Sequence, residues 1–449
     1  MSEHLYLPEL AARPAPRYTS YPTALEFSPA VGAADQAAAL RGLEAGTSAS
    51  LYVHVPYCQE ICWYCGCNTG ATGRPERLAA YVAALAREMR TVGALYQGRI
   101  SRVHFGGGSP NALSPAQFVS VAETIRSCFL VDEDAEWAAE LDPRLLSDDH
   151  AAALAEAGVT RVSLGAQTFN LGIQARINRI QPFRQVAEGV SALRRHGIER
   201  INLDLMYGLP TQELGDIVET IAKARQLEPD RVAMFGYAHL PSMLPRQRMI
   251  DASTLPDAKA RFWQSALAHD LLLEAGFAAV GFDHFARPQD SLAIAAGTGR
   301  LRRNFQGFTD DQADVVIGLG ASSISQFPDL LVQNEKHVGG WRMRALNDTL
   351  SGVRGCRRSA DDRLRAEIIE RILCHGAVDL EEVAMRRGAS TAQLSGALPI
   401  IDGLAGAGVL ERSEWRIRIT SIGRPYARLA AAAFDQRSRA QARPTSKAV

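Results

Sequence analysis

Three cysteines on one short loop are the residues of this sequence best suited to chemistry. Cys58, Cys62 and Cys65 are spaced four and then three residues apart, and Gly66 follows them. Thiols at this spacing can converge on one small inorganic group. Three thiolates are too few for a closed four-coordinate zinc site, and no histidine lies in the loop to complete one. They are also one ligand short of filling a four-iron cluster, which would leave one iron open to a small molecule.

Other interpretations of the loop are a zinc knuckle, a disulfide or a chance grouping, since Cys67 brings a fourth thiol into the same ten residues. Disulfides are not expected in a chain of this size without a secretory signal. Zinc sites more often use paired CxxC hooks or histidine partners. The remaining cysteines, Cys128, Cys356 and Cys374, are scattered, and we expect them to act as small apolar residues.

The CxxxCxxC spacing resembles the signature of the radical S-adenosylmethionine (radical SAM) enzymes. The resemblance implies that an open iron binds the amino and carboxylate groups of S-adenosylmethionine. One electron from the cluster then cleaves the sulfonium and releases a 5′-deoxyadenosyl radical.

Composition limits the classes of function that need to be considered. The chain has 449 residues, 47% of them hydrophobic and 22% charged, which is ordinary for a globular enzyme. Its formal net charge of zero argues against a general affinity for nucleic acid or anionic membrane. The first residues do not resemble a signal peptide, and no apolar run approaches membrane-spanning length. We therefore expect a cytoplasmic protein that binds neither nucleic acid nor membrane.

The elements around the loop alternate between strand and helix from residue 51 to about 285. Predicted strands lie at 51–56, 102–105, 135–141, 161–164, 201–205, 231–235 and 277–282. Helical segments lie between them, and Ser114 followed by Pro115 is typical of a helix start. This alternation predicts the α/β class, with a parallel sheet closed into a full or partial barrel.

Polar residues follow the strands where active sites of β/α barrels collect, at the carboxyl ends. Each alone would be an ordinary turn or cap residue, but six successive units carry one. They are the Gly106–Pro110 segment, Glu140, Gln167, Asp204, His239 and the Asp283-His284 pair. We expect them to point into one barrel mouth. The glycines 106–108 allow close backbone approach, so they are a plausible cradle for S-adenosylmethionine.

The flanking regions suggest four domains. Residues 1–48 form an arm whose prolines and tyrosines predict an extended chain lying on a surface. Residues 49–345 form the barrel with its cofactor loops, including an arginine-rich and aromatic loop at 302–308. Residues 346–435 form a mostly helical, winged-helix-like domain, which is reached through a linker at 347–359 and serves as a lid. Residues 436–449 are predicted to be a disordered tail.

Several further segments resemble one family within the radical SAM superfamily, the oxygen-independent coproporphyrinogen III oxidases. The resemblance extends from about residue 16 into the C-terminal domain. It is carried by the cysteine loop with Cys67 and Asn68 and by the segments RYTSYPTALEF (17–27), YGLP (207–210), YAHLP (237–241), DHFARP (283–288) and NFQG (304–307).

That resemblance implies a monomer with a partial (β/α)6 barrel, a C-terminal helical domain, a [4Fe-4S] cluster and two molecules of S-adenosylmethionine. The implied cluster ligands are Cys58, Cys62 and Cys65. The residues implied to contact the cluster-bound S-adenosylmethionine are Tyr52, Gly108, Glu140 and Ile324, of which Tyr52 and Glu140 are the candidate catalytic residues. The residues implied to contact the second molecule are Tyr64, Ser109, Pro110, Gln167, Arg179, Asp204 and Ala238. Tyr64 and Ser109 replace a phenylalanine and a threonine of the family, and each keeps the ring or the hydroxyl.

The implied reaction is the oxidative decarboxylation of two propionate side chains of coproporphyrinogen III, on rings A and B, to vinyl groups. A flavodoxin- or ferredoxin-like protein is the implied reductant. Candidate cations for the substrate carboxylates are Arg17, Arg287, Arg302 and Arg303. A haem-trafficking relative, which typically lacks the arm and the cysteine at position 67, and a radical SAM haem methyltransferase are the alternatives.

Overall fold

The structure is a computed structural model that describes residues 3–439 of the 449-residue chain. Of the tail predicted at 436–449, residues 440–449 lie outside the described residues. In the described part, no helix combines the length and the apolar character needed to cross a lipid bilayer.

The helices and strands follow one another in chain order. The helices are α1 (Pro8–Ala11), α2 (Ala33–Arg41), α3 (Pro75–Gly93), α4 (Pro115–Cys128), α5 (Asp148–Glu156), α6 (Leu171–Arg176), α7 (Phe183–Arg195), α8 (Leu214–Gln226), α9 (Ala258–Glu274), α10 (Ser291–Gly297), α11 (Val338–Leu346), α12 (Ala360–His375), α13 (Leu380–Arg386), α14 (Leu398–Gly406), α15 (Ala427–Ala432) and α16 (Gln436–Arg439). The strands are β1 (Ser48–Val55), β2 (Tyr57–Cys58), β3 (Gly70–Ala71), β4 (Arg99–Gly107), β5 (Leu130–Leu141), β6 (Arg161–Gln167), β7 (Arg200–Tyr207), β8 (Arg231–Gly236), β9 (Ala278–Val280), β10 (His284–Ala286), β11 (Arg302–Asn304), β12 (Gly307–Thr309), β13 (Val315–Leu319), β14 (Ile324–Phe327), β15 (Leu330–Asn334), β16 (Gly352–Arg357), β17 (Ala377–Asp379), β18 (Leu410–Ser413) and β19 (Arg416–Ile419).

The predicted alternation of strand and helix is confirmed from β1 to β8, with element ends that differ by a few residues. The start of α4 is as predicted, because the Ser114 hydroxyl accepts a hydrogen bond from the Gln117 amide and Pro115 is the first helical residue. Local capping signals in the sequence therefore identify this helix start correctly.

The chain divides into two compact units. The cysteine unit comprises Glu26–Asp204 and Ala313–Arg357, and the terminal unit comprises the described residues of Met1–Leu25, Leu205–Gln312 and Arg358–Val449. Strand β7 runs across the division, so that its last three residues belong to the terminal unit.

The cysteine unit contains a large sheet in the order β16-β15-β14-β13-β1-β4-β5-β6-β7. Strands β13, β1, β4, β5 and β6 pair in parallel, whereas β13 to β16 form an antiparallel extension. In the parallel part, Tyr52 of β1 lies opposite His104 of β4 and Gly318 of β13. This register places polar side chains of neighbouring strands on one face of the sheet.

The antiparallel extension corrects one prediction, the linker. The segment 347–359, predicted to be a linker, contains β16, whose Cys356 pairs with Leu331 of β15. Its glycines and arginines suggested a loop, but Gly355 is required inside this strand. A Cβ atom at Gly355 would lie 2.1 Å from the Leu331 carbonyl oxygen, so only glycine allows the backbones to approach so closely. The segment 315–324 likewise contains β13 and the start of a second strand, β14.

The terminal unit combines the end of β7 with β8, β10 and β9, in that order. The strand predicted at 277–282 is shorter and turns at Gly281, where φ is +59°, into the antiparallel strand β10. In the region predicted to be winged-helix-like, β18 and β19 form a hairpin, and β17 joins it to form a three-stranded sheet beside α12 to α15.

The core of the terminal unit includes the N-terminal arm. Tyr18 and Tyr21 are 4% and 5% exposed and pack in one hydrophobic cluster with Phe262, Tyr426 and Phe434. The residues 13–23 contain no helix, as the prolines predicted. The arm therefore lies on a surface that is formed largely by the C-terminal helices.

Candidate functional site

The cysteine loop lies between β1 and α3 and is fixed at both of its ends. Cys58 lies in β2, and its sulfur is 3.2 Å from the Thr69 hydroxyl oxygen. The backbone amide of Cys67 donates a hydrogen bond to the Cys65 sulfur at 3.3 Å. In the middle of the loop, the Ile61 carbonyl accepts a hydrogen bond from the Asn178 side chain. The loop is therefore held in a defined shape, with hydrogen-bond partners at two of its sulfurs.

Two arginines lie beside the third sulfur. The guanidinium groups of Arg179 and Arg144 approach the Cys62 sulfur to 3.3 Å and 3.6 Å. Both also contact Asp142, which is 6% exposed at its side chain. Burial raises the pKa of Asp142, but the charge of Arg179 and the hydrogen bond from Arg144 lower it below its usual range overall. The two guanidinium groups therefore place N–H donors and positive charge beside the Cys62 sulfur.

The three thiols of the cysteine loop fit an iron–sulfur cluster better than a single zinc ion. Among the residues that the structure describes, potential metal-ligand atoms gather within 4.8 Å of one another at His4, His269 and Asp270, and the loop thiols form no such group. Two thiolates on one tetrahedral zinc ion would lie about 3.8 Å apart, given Zn–S bonds of about 2.3 Å. Three thiols that do not all lie within 4.8 Å of one another suit ligands at separate irons of a larger inorganic core better than ligands of one ion.

A row of polar side chains crosses the parallel sheet. His104 stacks on Tyr52 with ring centroids 5.9 Å apart, and its Nε2 lies 3.0 Å from Oε1 of Glu140. Glu140 pairs in register with Ser163, whose hydroxyl donates a hydrogen bond of 2.8 Å to Asp204. The row thus connects β1, β4, β5, β6 and β7. It brings together three of the predicted site residues, Tyr52, Glu140 and Asp204.

The row has defined protonation preferences. Burial raises the pKa of Glu140, but the hydrogen bond and charge of His104 lower it overall, so the carboxylate is ionised near neutral pH. Burial lowers the pKa of His54, so its ring is neutral near neutral pH. Its Nε2 donates to the Asn68 carbonyl at 3.1 Å, and its Nδ1 accepts from the Tyr52 hydroxyl at 3.0 Å. Both ring nitrogens of His54 are thus engaged, and the ionised Glu140 is the acceptor that this part of the row offers to a ligand's amino group.

The glycine triplet forms a close backbone approach at the end of β4. Gly107 has a φ of +117°, which favours glycine. A Cβ atom at Gly106 would lie 2.9 Å from the Tyr52 ring, and one at Gly108 would lie 2.3 Å from the Thr69 hydroxyl oxygen. The triplet is therefore in contact with both the polar row and the cysteine loop, and no larger residue fits there.

A second group of predicted residues surrounds Gly165 of β6. The side chains of Gln167 and Arg179 both approach its Cα, since a Cβ atom there would lie 2.8 Å and 2.9 Å from their nitrogens. Gln167 has a φ of +62°, unusual for a residue with a side chain. Tyr64 lies beside the same group. Burial raises the pKa of its hydroxyl, and the positive charge of the nearby Arg179 opposes that rise.

The other predicted residues lie in three places. Ser109 and Pro110 follow the triplet, and the Ser109 hydroxyl accepts a hydrogen bond from the Asp142 amide at 3.2 Å. Ile324 opens β14, and its carbonyl would lie 2.7 Å from a Cβ atom at Gly318, the residue opposite Tyr52. Ala238 belongs to the terminal unit, where it lines a pocket together with His239 and Asp283.

We expected every polar residue at a strand end to point into one barrel mouth. Within the cysteine unit, two of them, Glu140 and Asp204, lie in the same polar row. His239 and Asp283 belong instead to the pocket of the terminal unit. The sequence analysis missed His54, His104, Asp142 and Arg144. The alternation of side chains along β1 and β4 could have identified the two histidines. Each lies two residues from another residue of the site, so it faces the same side of the sheet.

Comparisons with known proteins agree with this geometry. Residues 52–224 match the model of the radical SAM superfamily, which is the class of protein that the cysteine loop and the β/α alternation define. An oxygen-independent coproporphyrinogen III oxidase from Bradyrhizobium diazoefficiens is 44% identical over 422 residues, covering 94% of either chain. One from Paracoccus denitrificans is 42% identical and covers 94% of this chain and 93% of its own. This chain belongs to the oxygen-independent coproporphyrinogen III oxidase family.

A solved structure supports the same assignment. The coproporphyrinogen III oxidase (HemN) from Escherichia coli, described as a radical SAM enzyme, superposes with a TM-score of 0.89 at 33% identity. The match covers 94% of this chain and 97% of that one. The predicted fold class, a partial (β/α)6 barrel of the radical SAM type with a helical C-terminal portion, is thereby confirmed.

Proposed function

We propose that this chain catalyses the oxidative decarboxylation of coproporphyrinogen III to protoporphyrinogen IX in porphyrin and haem biosynthesis. Two propionate side chains, on rings A and B, become vinyl groups. The observation that carries the proposal is the three-cysteine loop, which borders the glycine triplet and the polar row in a chain of this family. The arm and Cys67, which the haem-trafficking relatives typically lack, are both present.

The cofactors of the proposal are a [4Fe-4S] cluster on Cys58, Cys62 and Cys65 and two molecules of S-adenosylmethionine. The cluster, when bound, supplies the electron that splits S-adenosylmethionine into methionine and a 5′-deoxyadenosyl radical. Arg179 and Arg144 place N–H donors beside the sulfur of one proposed ligand, Cys62, and the Cys67 amide donates to the sulfur of another, Cys65. Cys67 itself is exposed and is not proposed as a ligand.

The chain's own residues bind and orient the two S-adenosylmethionine molecules. Tyr52, Gly108, Glu140 and Ile324 are proposed to hold the cluster-bound molecule, with the ionised Glu140 accepting from its amino group. The residues proposed for the second molecule are Tyr64, Ser109, Pro110, Gln167, Arg179, Asp204 and Ala238. Tyr52 and Glu140 lie closest to the chemistry in this assignment, so they remain the candidate catalytic residues.

Each vinyl group forms from a propionate in the same sequence of steps. A hydrogen atom leaves the propionate β-carbon and forms 5′-deoxyadenosine. The bond to the carboxylate then breaks, releasing carbon dioxide, and one electron leaves to an external acceptor as the double bond forms. We propose that a flavodoxin- or ferredoxin-like protein supplies the initial electron.

We also propose that the chain works as a cytoplasmic monomer with the domains 1–48, 49–345, 346–435 and 436–449.

The reaction can be tested directly under anaerobic conditions. The purified protein, with S-adenosylmethionine, a one-electron reductant and an electron acceptor, is expected to convert coproporphyrinogen III to protoporphyrinogen IX. Label in the carboxyls of the ring A and B propionates should appear as carbon dioxide. The Cys62→Ala variant is expected to lose the visible absorbance of the cluster and at least 100-fold in rate. The matched Cys67→Ala variant should keep that absorbance.

Two outcomes would overturn the proposal. Retention of the labelled carboxyls together with stoichiometric haem binding would identify a haem carrier. Consumption of haem with formation of a methylated open-chain product would identify a methyltransferase.

A further inference from the structure

A basic pocket of about 340 Å³ opens beside the cysteine loop, within the cysteine unit. Its walls come from the two ends of the loop and from the segment at the start of α11, through Tyr57, Thr69, Lys336 and Arg342. None of its described lining residues is among those proposed above for the cofactors. Because Cys58 directly follows Tyr57 in β2, the pocket lies next to the first proposed cluster ligand.

Two contacts connect this pocket to the cysteine loop. Thr69 lines the pocket, and its hydroxyl oxygen is 3.2 Å from the Cys58 sulfur. The Asn68 side-chain amide donates a hydrogen bond of 3.2 Å to the Lys336 carbonyl. Thr69 thus touches both the pocket and a proposed cluster ligand, and Asn68 ties the end of the loop to the opposite wall.

The pocket is rich in positive charge. Arg77, Lys336 and Arg342 line it, and none of its described lining residues is an aspartate or a glutamate. The Arg77 guanidinium donates to the Ala71 carbonyl at 3.3 Å, which orients the cation but does not neutralise it. Within the described residues, the side chains of Lys336 and Arg342 make no hydrogen bond or ion pair.

These cations act on shared neighbours. Burial raises the pKa of Tyr57, and the positive charges of Arg77 and Arg342 oppose that rise. Partial burial lowers the pKa of Lys336, and the charge of the nearby Arg354 lowers it further. Cations that are gathered without a counter-ion repel one another, so the approach of an anionic partner is favourable.

The exposure of the cations favours a protein partner over a small anion. Arg77 and Lys336 are exposed, and Arg342 is partly exposed. Sites for small molecules enclose most of their ligand and fix it with a few oriented polar groups. Exposed cations on long side chains instead attract an acidic surface over a longer range.

The charges around Cys62 distinguish this face of the loop from the other. There, Arg144 and Arg179 both pair with Asp142. Arg144 also pairs with Glu60, whose side chain is 65% exposed. An acidic partner would meet an exposed carboxylate on the Cys62 side, whereas at the basic pocket it meets cations.

We propose that the basic pocket of Arg77, Lys336 and Arg342 is the docking surface for an acidic one-electron carrier protein that reduces the cluster. This inference deepens the proposed function and rests on it, since a cluster that cleaves S-adenosylmethionine needs one electron for each cleavage. The electron passes from the reduced carrier to the oxidised cluster, no atom is transferred, and the carrier leaves oxidised by one electron.

The position and the charge of the pocket both suit this partner. Electron transfer weakens steeply with distance, so a carrier must dock close to the cysteine loop. Complexes between redox proteins are transient and bury little surface, so complementary charge supplies much of the recognition. The basic pocket provides this charge where the loop is reached through Thr69.

The first measurement is the binding of a purified flavodoxin of net negative charge at low ionic strength. Lys336→Glu should raise the dissociation constant about 10-fold, and the double variant Lys336→Glu, Arg342→Glu should raise it about 100-fold. Both effects should shrink at high salt, because ions screen exposed charges. The matched control is Arg90→Glu, which reverses an exposed charge about 20 Å along α3 from Arg77 and should leave the constant unchanged.

The second measurement is the rate of cluster reduction, followed by the loss of visible absorbance. Lys336→Glu should slow reduction by subsaturating flavodoxin about 10-fold. Reduced methyl viologen, a small cation that needs no docking surface, should reduce the cluster of this variant within about twofold of the wild-type rate. The thermal midpoint should match that of wild type, since an exposed lysine without a hydrogen bond or ion pair is replaced.

Three outcomes would overturn the inference. Unchanged flavodoxin binding in the double variant would place the docking surface elsewhere. Equal slowing of reduction by flavodoxin and by methyl viologen would show that the cations act on the cysteine loop itself. Weaker binding of coproporphyrin III, with flavodoxin binding unaffected, would assign the pocket to the substrate carboxylates. Conversely, cluster reduction that depends on Lys336, without release of carbon dioxide from coproporphyrinogen III, would reject only the proposed function.

Discussion

Asp142 illustrates how a single residue organises the surroundings of a reactive sulfur. It lies just beyond β5 and holds Arg144 at 2.6 Å and Arg179 at 3.4 Å, and both guanidinium groups also approach Cys62. The negative charge of Asp142 offsets the repulsion between the two guanidinium groups, so both can lie next to the Cys62 thiol. Because the group is almost fully buried, its ionisation is coupled to the stability of the fold.

The Asp142→Asn variant should lose about 3 kcal/mol of stability at pH 7, since it leaves two buried guanidinium groups without their anion. The folded-state pKa of Asp142 is lowered, so its contribution is fully present above the unfolded pKa near 4 and is lost as the pH falls through the folded value. The difference from wild type should therefore shrink below about pH 4. Denaturant midpoints measured from pH 3 to pH 7 test this expectation.

Asp148→Asn is the matched control, because Asp148 forms an ion pair with Arg195 at the surface, where both side chains are more than half exposed. It should change the midpoint little at any pH. A constant difference between Asp142→Asn and wild type across the whole pH range would contradict the assigned role of the Asp142 carboxylate.

At the scale of elements, helix α3 joins the parallel sheet to its antiparallel extension through a buried glutamate. Glu88 accepts hydrogen bonds from the Gly320 amide at 2.6 Å, the Asn334 side chain at 3.0 Å and the Trp341 indole at 2.9 Å. Burial raises its pKa, and these donors oppose that effect. One carboxylate thus connects α3 to the segments after β13, in β15 and in α11.

The Glu88→Gln variant should be destabilised by about 1–3 kcal/mol, because the amide group that replaces one oxygen must face an N–H donor. Glu123→Gln, on the exposed side of the neighbouring helix α4, is the control and should leave the thermal midpoint unchanged. Equal midpoints for the two variants would show that the buried donors find other acceptors.

For the whole molecule, the described ends of the chain are packed together within the terminal unit. The Tyr18 hydroxyl donates to Asp435 at 2.9 Å, and the Tyr426 hydroxyl contacts the backbone of Leu5 and Leu7. The arm therefore contributes to the same hydrophobic core as the C-terminal helices. Since Arg17 lies on this arm, the packing of the arm also positions one wall of the pocket that Ala238 and His239 line.

Replacing Tyr18 should reveal the energetic value of this contact. Tyr18→Phe keeps the ring and should cost about 1.5–3 kcal/mol for the lost hydrogen bond to a carboxylate. Tyr18→Ala should cost about 3–5 kcal/mol, because it also leaves a cavity in the core. Tyr6→Phe is the control in the same arm, since Tyr6 packs on Phe262 and its hydroxyl makes no hydrogen bond to any residue in the described part of the chain. A Tyr18→Ala midpoint equal to that of wild type would mean that the arm is not part of the core.

The sequence by itself determined the features that depend on local chemistry and periodicity. The cysteine spacing predicted the iron–sulfur class, the alternation of strands and helices predicted the α/β barrel, and the motifs predicted the family. Capping residues such as Ser114 and the prolines of the arm act within a few residues of themselves, so their effects can be predicted without the fold.

Only the tertiary structure decided the features that depend on distant partners. Gly352 and Gly355 suggested a linker, yet β15 pairs with this segment and makes it a strand. Arg261 and Arg428 carry no local signal, and the fold alone brings them to Arg17. Likewise, Asp142 acquires its role from arginines 2 and 37 positions away. The physical reason is that long-range pairing and burial set the strand, the charge cluster and the pKa, and none of these is encoded in neighbouring residues.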